Sequence, residues 1–384
     1  MTTTLEARMR APSGPPILRS GHRLLFLGCA VYGALSLFAW LLAYASHLPL
    51  RASWHGHELL FGFAGAAIGG FLTAAVPKWT GSKLFSGLPA AGLFGLWLMG
   101  RVVMWADVAS WLDVLFLPVL AVAVLQRLIR AKNSRNYQVV GMLLGLTGLN
   151  MAWHAGYETE SLRAATFVIV ALIALIGGRI IPAFTRNALN RAGKDGGVVV
   201  HSPLADRAAV PIVITTAALE LFAPLSLEAG IAALIAAAVL AWRARSWGLS
   251  GALRWPIVWV MHAAWWFVPL GFALSGVVSV SGAFGVSVGI DPLSALHALT
   301  AGGIGGMILA VASRAARGHA GLPLIATKMT VLSYILVLGG ALLRVIGGRA
   351  AIIPAGSAWA LGWVVFACSY GPMLVRARVD GKPG

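Results

Sequence analysis

Charged residues are scarce in this sequence of 384 residues, and acidic residues are the scarcest. Asp, Glu, Lys and Arg make up 11% of the chain, with 12 acidic side chains against 29 basic ones. Cysteine is almost absent: Cys29 and Cys368 lie in the first and last apolar runs, so no disulfide framework is indicated. The chain also lacks Walker, CxxC, CxxCH and HExxH motifs, so nucleotide binding, thioredoxin chemistry, covalently attached haem and zinc-protease chemistry find no support.

The sequence is rich in apolar residues. They form 59% of the chain, the mean hydropathy is +0.84, and apolar runs of about twenty residues recur along the whole length. Helices satisfy their own backbone in lipid, and the alternating pattern of barrel strands is not found. The sequence therefore predicts an all-α polytopic membrane protein with about twelve transmembrane helices. We expect them at 22–45, 55–76, 88–105, 108–128, 137–155, 162–183, 208–226, 229–243, 254–273, 293–313, 326–347 and 354–375.

The basic residues indicate how these helices are oriented. If the N-terminus is cytoplasmic, all 29 Lys and Arg residues fall at cytoplasmic helix ends and connections except five: Arg51, Arg101, Arg163, Arg344 and Arg349. This positive-inside pattern predicts that both termini are cytoplasmic. It also assigns the net charge of +17 to topology and anionic lipid rather than to a nucleic-acid surface. We expect a tail at 1–21, one membrane domain at 22–376 with two six-helix halves joined near 186–207, and a tail at 377–384.

The predicted topology places each histidine at a depth in the membrane. His22, His201 and His319 fall at the cytoplasmic face, where we expect solvated residues. The other six, including His47, reach the outer helix ends or lie just beneath them, and five of these are the candidate ligands: His55, His57, His154, His262 and His297. A single intramembrane histidine is usually explained by a helix–helix hydrogen bond, but five on four helices favour metal or haem binding.

The segment "HGHE" at 55–58 brings three ionisable groups into the first turn of the second predicted helix. Residues two apart on a helix project about 200° apart, so His55 and His57 cannot clasp one ion from a regular helix. They can serve two neighbouring centres, or the turn is irregular and one of them caps it. Glu58 is placed to orient a ligating ring, or alternatively to interact with the helix dipole.

Further polar residues inside the predicted spans are candidates for supporting roles. Asn150 lies four residues before His154, where it can hydrogen-bond a ligating ring or join two helices. Glu220 is a candidate proton relay or second carboxylate acceptor, like Glu58, unless it is buried in neutral form. Arg101 and Arg344 can pair with haem propionates, or extend to lipid headgroups.

Three separated motifs make the chain similar to the NnrS family of bacterial inner-membrane proteins. They are "WHGHELLFGFAGAAIGGFLTAAVPKWTG" in the second predicted helix, "GGRIIPAFTRN" at the end of the sixth and "HALTAGGIGGMILAVASRAARGHAG" in the tenth, and the resemblance covers 22–376. It implies a protein that contains b-type haem and copper, binds nitric oxide and protects against nitrosative stress. By motif position, His55, His57, Glu58 and His297 become candidate site residues.

The resemblance and the depth of the histidines lead to one expectation with two alternatives. We expect a haem–copper protein of the bacterial inner membrane that handles nitric oxide without necessarily turning it over. The first alternative is a nitric oxide reductase-type enzyme, with Glu58 or Glu220 supplying protons. The second is a transporter with a polar site at the membrane midplane. The sequence does not separate a protein that only binds nitric oxide from one that reduces it.

Overall fold

The computed structural model describes residues 14–381, and the chain is all-α: 82% is helical, and no strand occurs among the described residues. The predicted fold class is confirmed in this respect. The long helices, in chain order, are α1 (Gly21–Ala45), α2 (Ala52–Thr80), α3 (Leu88–Ala106), α4 (Ser110–Arg130), α5 (Tyr137–His154), α6 (Glu158–Arg191), α7 (Pro203–Phe222), α8 (Leu227–Ala244), α9 (Pro256–Ala283), α10 (Pro292–His319), α11 (Lys328–Gly347) and α12 (Ile352–Val375).

Nine helical runs within residues 14–381 are long and apolar enough to cross a membrane. One of these, Lys328–Val375, contains both α11 and α12, which are joined by a 3₁₀ turn at Gly348–Ala351. α5 and α7 are not among the nine, although each is a regular helix at a predicted position. α7 carries Asp206, Arg207 and Glu220, which lowers its apolar character. The chain is a multi-pass membrane protein, whereas the exact count of twelve and the cytoplasmic location of both termini stay predictions.

Two of the long helices, α2 and α10, occupy the centre of the bundle. α2 contacts α1, α4, α6 and α10, and α10 also contacts α6, α9 and α11. α1 packs against α12, so the first and last long helices are neighbours. A single buried apolar cluster extends from Leu25 in α1 to Leu374 in α12. The two predicted halves therefore share one core.

Both central helices contain a π-helical segment, and each segment starts directly after a candidate ligand. In α2 the π segment is Glu58–Phe63, which follows His57. In α10 it is Ala298–Gly305, which follows His297. Wider π turns displace the side chains that precede them and occur frequently at functional sites.

α2 begins after Arg51, whose backbone is extended, and ends at Gly81. Gly81 has a φ of 64°, in the left-handed region that glycine adopts without a steric cost. The connections that precede α2, α4, α6, α10 and α12 lie at one end of the bundle, which we call the site end. An ion pair of 2.8 Å between Arg51 and Glu158 joins two of them.

Part of the predicted tails lies outside the described residues. Arg8, Arg10 and Lys382, which contribute to the positive-inside pattern, are among them. Within the described part, a 3₁₀ turn at Pro16–Arg19 precedes α1. Two histidines near the opposite end of the bundle differ from expectation. His22 and His319, which we expected to be solvated, are buried with their ring centroids 4.3 Å apart, because the ends of α1 and α10 pack together.

Candidate metal centre

His57 is the central residue of a buried polar network at the site end, and its side chain has no exposed surface. Its Nδ1 lies 2.8 Å from Glu58 Oε1. Its Nε2 lies 2.9 Å from Asn150 Oδ1 and 3.2 Å from Asp113 Oδ2. Because the Glu58 carboxylate only accepts hydrogen bonds when ionised, Nδ1 carries the proton and Nε2 faces two oxygen atoms.

Asp113 comes from the 3₁₀ turn Ser110–Leu115 with which α4 begins. Asn150 of α5 donates from Nδ2 to Asp113 Oδ2 at 2.8 Å, which orients the amide so that its oxygen faces His57. His154, one turn further along α5, has its Nε2 3.8 Å from the same Asp113 oxygen. This Nε2 is buried and has no hydrogen-bond partner within the described part of the chain.

Three atoms that can each donate a lone pair to a metal therefore converge. One nitrogen each of His57 and His154 and one oxygen of Asp113 all lie within 4.8 Å of one another. Donors bound at about 2.0–2.2 Å to one tetrahedral ion lie about 3.3–3.6 Å apart, close to the 3.2 and 3.8 Å that separate Asp113 Oδ2 from His57 Nε2 and His154 Nε2. Because lone pairs repel one another, a positive charge has to lie among them, either a second proton on His57 or a metal ion. The arrangement can thus hold a cation.

Arg101 of α3 balances part of the negative charge of this network. Its Nη1 donates to Glu58 Oε2 at 2.7 Å, and its Nη2 forms an ion pair with Asp113 Oδ1. Both terminal nitrogens thus already have carboxylate partners within the protein. With both carboxylates ionised and both imidazoles neutral, one negative charge is left uncompensated. A buried charge of this kind is costly unless it is paired, and a metal ion would compensate it.

Tyr32 of α1 holds Glu58 from a further side. Its hydroxyl donates to Glu58 Oε2 and accepts from Trp105 Nε1 at 2.9 Å. Gly62 allows this close packing, because a Cβ there would lie 2.7 Å from Arg101 Nη1 and 2.9 Å from the Tyr32 ring. The glycine-rich segment of α2 therefore serves close packing at this point.

His55 belongs to a second group at the same end of the bundle. Its ring stacks on Trp40, with centroids 4.4 Å apart and an interplanar angle of 23°. It interacts electrostatically with His297 and Arg344, which come from α10 and α11. His297 Nδ1 donates to Leu293 O at 2.7 Å, so the lone pair of this ring is on Nε2. His55 and His57 thus lie in different groups, as their spacing predicts.

Arg344 is buried, and its Nη1 has no hydrogen-bond partner among the described residues. It differs in this from Arg101, whose Nη atoms are both paired. A pocket of about 650 Å³ opens near this second group and is lined by Trp40, Tyr44, His47 and neighbouring residues. Trp40 lines the pocket and also stacks on His55. The second group therefore combines two imidazoles and a guanidinium nitrogen without a hydrogen-bond partner with adjacent space.

The remaining candidates lie outside both groups. The His262 ring is buried, and its Nε2 lies 2.9 Å from Thr185 Oγ1. Thr185 and His262 belong to α6 and α9, and no metal-ligating group joins them in the part of the chain that the structure describes. Glu220 of α7 accepts a hydrogen bond of 2.8 Å from Ser275 of α9. The structure thus brings His57 to His154 and His55 to His297, and it leaves His262 and Glu220 elsewhere.

Sequence reasoning missed Asp113 and Tyr32. Asp113 lies a few residues inside a predicted apolar span, where a carboxylate is expensive and marks a functional site by default. That signal was present in the sequence. No signal in the sequence marked Tyr32, because tyrosines are common in apolar helices. Only the structure shows that its hydroxyl has a carboxylate partner 26 residues away.

The sequence model of a family described as NnrS protein matches residues 16–378, which is nearly the whole chain. The match includes both π segments and all candidate residues of the two groups. No curated protein matches the chain.

Proposed function

Because the chain belongs to the NnrS family and is therefore a membrane protein related to the nitric oxide response, we propose that it binds nitric oxide at a buried copper and haem site. Binding would protect the cell against nitrosative stress by removing the free molecule. The observation that carries the proposal is the convergence of ligand atoms from His57, Asp113 and His154 within 4.8 Å. Three residues from three helices converge only in the folded chain.

Copper fits the donor set at His57. Imidazole is a preferred ligand for copper, and copper binds such nitrogen and oxygen sites more tightly than other divalent ions of its row. The uncompensated negative charge among Glu58, Asp113 and Arg101 favours a cation. Glu58 holds the proton of His57 on Nδ1 and so directs Nε2 toward the ion, which is the usual role of a carboxylate behind a ligating histidine.

Haem fits the second group. His55 and His297 supply imidazoles from the two central helices, and imidazole is the common axial ligand of b-type haem. Arg344 has a buried nitrogen without a partner, which suits an anionic propionate. Haem would supply an iron that binds nitric oxide. The protein would contribute imidazole ligands, a charge partner and, through Trp40, an aromatic surface beside His55.

One feature favours nitric oxide reduction as a second candidate function. His55 and His57 are two residues apart on one helix and belong to separate groups, so two metals would lie close together. Reduction of two nitric oxide molecules to nitrous oxide and water needs two electrons and two protons. The electrons would have to come from a donor protein or quinol.

Metal analysis of the purified protein tests the proposal. We expect copper and iron in the wild type, loss of copper alone in His154→Ala, and loss of iron alone in His297→Ala. Glu220→Gln alters a residue that belongs to neither group, so it serves as the matched control and should keep both metals. Wild-type protein that holds neither metal would overturn the proposal. Anaerobic assay with nitric oxide and an electron donor, with detection of nitrous oxide, separates binding from reduction.

The location in the cell is also a proposal. The distribution of Lys and Arg supports an inner-membrane protein with both termini in the cytoplasm and the site end facing the periplasm. Copper, a hydrated cation, would then reach His57 from the periplasm.

A further inference from the structure

A cavity of about 80 Å³ lies between the central helices, away from both groups of histidines. It is lined only by apolar side chains and one glycine from α1, α2, α6 and α10. Nearly all of its surface is apolar, so it offers water no hydrogen-bond partners. Apolar cavities of this kind stay dry and take small apolar molecules such as xenon.

The residues that line the cavity are more completely buried toward the site end. α2, α6 and α10 all run from the site end to the opposite end, and each contributes lining residues along its length. On each of these helices, the lining residue farthest from the site end is half-buried, while those closer to it are mostly buried: these far residues are Phe71, Ile180 and Val311. The mouth therefore lies on the side away from the metal centre.

A second open space lies at Gly65, on the stretch of α2 between the cavity and the metal centre. Among the glycines of residues 14–381, Gly65 is the buried one at which an added Cβ would meet no atom within 4 Å. It neighbours Ile68, which lines the cavity, because residues three apart are adjacent on a helix surface. In the other direction it neighbours Phe61, whose ring centroid is 5.0 Å from that of His57.

We infer that this cavity and the space at Gly65 form an apolar passage through which a small uncharged molecule reaches His57 from a mouth about midway along α2, α6 and α10. From Phe71 to Phe61 the passage would follow ten residues of α2, about 15 Å. Its ligand is a diatomic gas, because a cavity of this size is too small for an acyl chain and its walls hold no ion. The inference rests on the proposed function when that gas is nitric oxide.

Substitution of Gly65 tests the passage. Gly65→Leu fills the open space, and the matched control Gly92→Leu makes the same change at an exposed position of α3 where an added Cβ also meets nothing. We expect nitric oxide association with the metal centre, followed by stopped-flow spectroscopy, to slow by roughly tenfold in Gly65→Leu, the effect of a modest added barrier. Metal content should be unchanged, and Gly92→Leu should behave as the wild type.

A second variant and a second ligand keep the test independent of folding and of the proposed function. Ile68→Ala widens the passage and should speed association, so it decides the matter if Gly65→Leu does not fold. Xenon, detected by ¹²⁹Xe NMR, should bind the wild type and bind less in Gly65→Leu, even if the protein binds no nitric oxide at all. Three results would overturn the inference. They are an unchanged rate of nitric oxide association in both variants, equal xenon binding by the wild type and Gly65→Leu, and density for a lipid acyl chain in the cavity.

Discussion

At the scale of single residues, the site depends on which partner each ionisable group finds. Glu58 and Asp113 are both buried, and Arg101 is the one cation that pairs with both of them in the described part of the chain. His57 lies between the two carboxylates and has lone-pair donors around its Nε2. With both imidazoles neutral, the network has two anions and one cation, and a metal ion would supply the missing positive charge.

Substitutions of Asp113 and Arg101 should therefore have opposite effects on the protein without metal. Asp113→Asn leaves Glu58 and Arg101 as a balanced pair, so the metal-free protein should remain folded while copper affinity falls by about tenfold or more. Arg101→Gln leaves two buried carboxylates without a cation and should destabilise the metal-free protein by about 3–5 kcal/mol. Thermal unfolding with and without copper measures both effects. Equal destabilisation by the two substitutions would contradict the charge argument.

His55 and His57 should contribute to different metals because their side chains lie in different groups. His57→Ala should remove the copper signal in electron paramagnetic resonance and keep the haem absorption. His55→Ala should do the reverse. Loss of the same metal in both variants would show that the two histidines serve one centre. His262→Ala removes a ring that is hydrogen-bonded to Thr185 and belongs to neither group. This variant is the control and should keep both signals.

At the scale of elements, the two π segments distinguish α2 and α10 from the other long helices of residues 14–381. Each segment follows a candidate ligand, and in α2 it contains Gly62, which permits Arg101 and Tyr32 to approach the helix. A regular helix through Glu58–Phe63 would rotate the preceding residues relative to the rest of α2. The π segment thereby couples the position of His57 to the packing of α1 and α3.

A side chain at Gly62 should disturb this coupling. In Gly62→Val, the Cβ would lie 2.7 Å from Arg101 Nη1, so Arg101 must move away from Glu58. We expect copper affinity to fall by about 10–100-fold, the usual effect of disturbing a group behind a ligand, with about 1–3 kcal/mol of lost stability. Isothermal titration with copper measures the change. Gly145→Val, at an exposed position of α5 with open space, should have neither effect.

At the scale of the whole molecule, the long helices surround the central pair α2 and α10, and both histidine groups lie at one end. The distribution of basic residues predicts that this end faces the periplasm. The mouth of the apolar cavity lies about midway along α2, α6 and α10. The metal ion would then approach the site from the periplasm and the small apolar ligand from within the membrane.

Fusion of a reporter after Gly384 tests this orientation. Because basic residues concentrate at one set of connections, we expect alkaline phosphatase to be inactive and green fluorescent protein to be fluorescent at this position. The same reporters inserted in the 284–291 connection should give the opposite result. Active phosphatase after Gly384 would reverse the topology and with it the predicted side of copper entry.

The sequence by itself determined the helices, their approximate limits, the family and the end at which most candidate histidines lie. These features depend on composition and spacing, which a bilayer and the 3.6-residue turn of a helix translate directly into structure. The opposite projection of His55 and His57 also follows directly from their spacing along a helix.

Only the tertiary structure decided which side chains meet. Asp113 reaches His57 from another helix, 56 positions along the sequence, and Tyr32 reaches Glu58 across 26. His22 and His319, expected to be solvated, are buried against each other because α1 and α10 end side by side. Depth in the membrane follows from position along one helix. Which side chains contact each other depends on the rotation and packing of several helices, and no local sequence pattern predicts these.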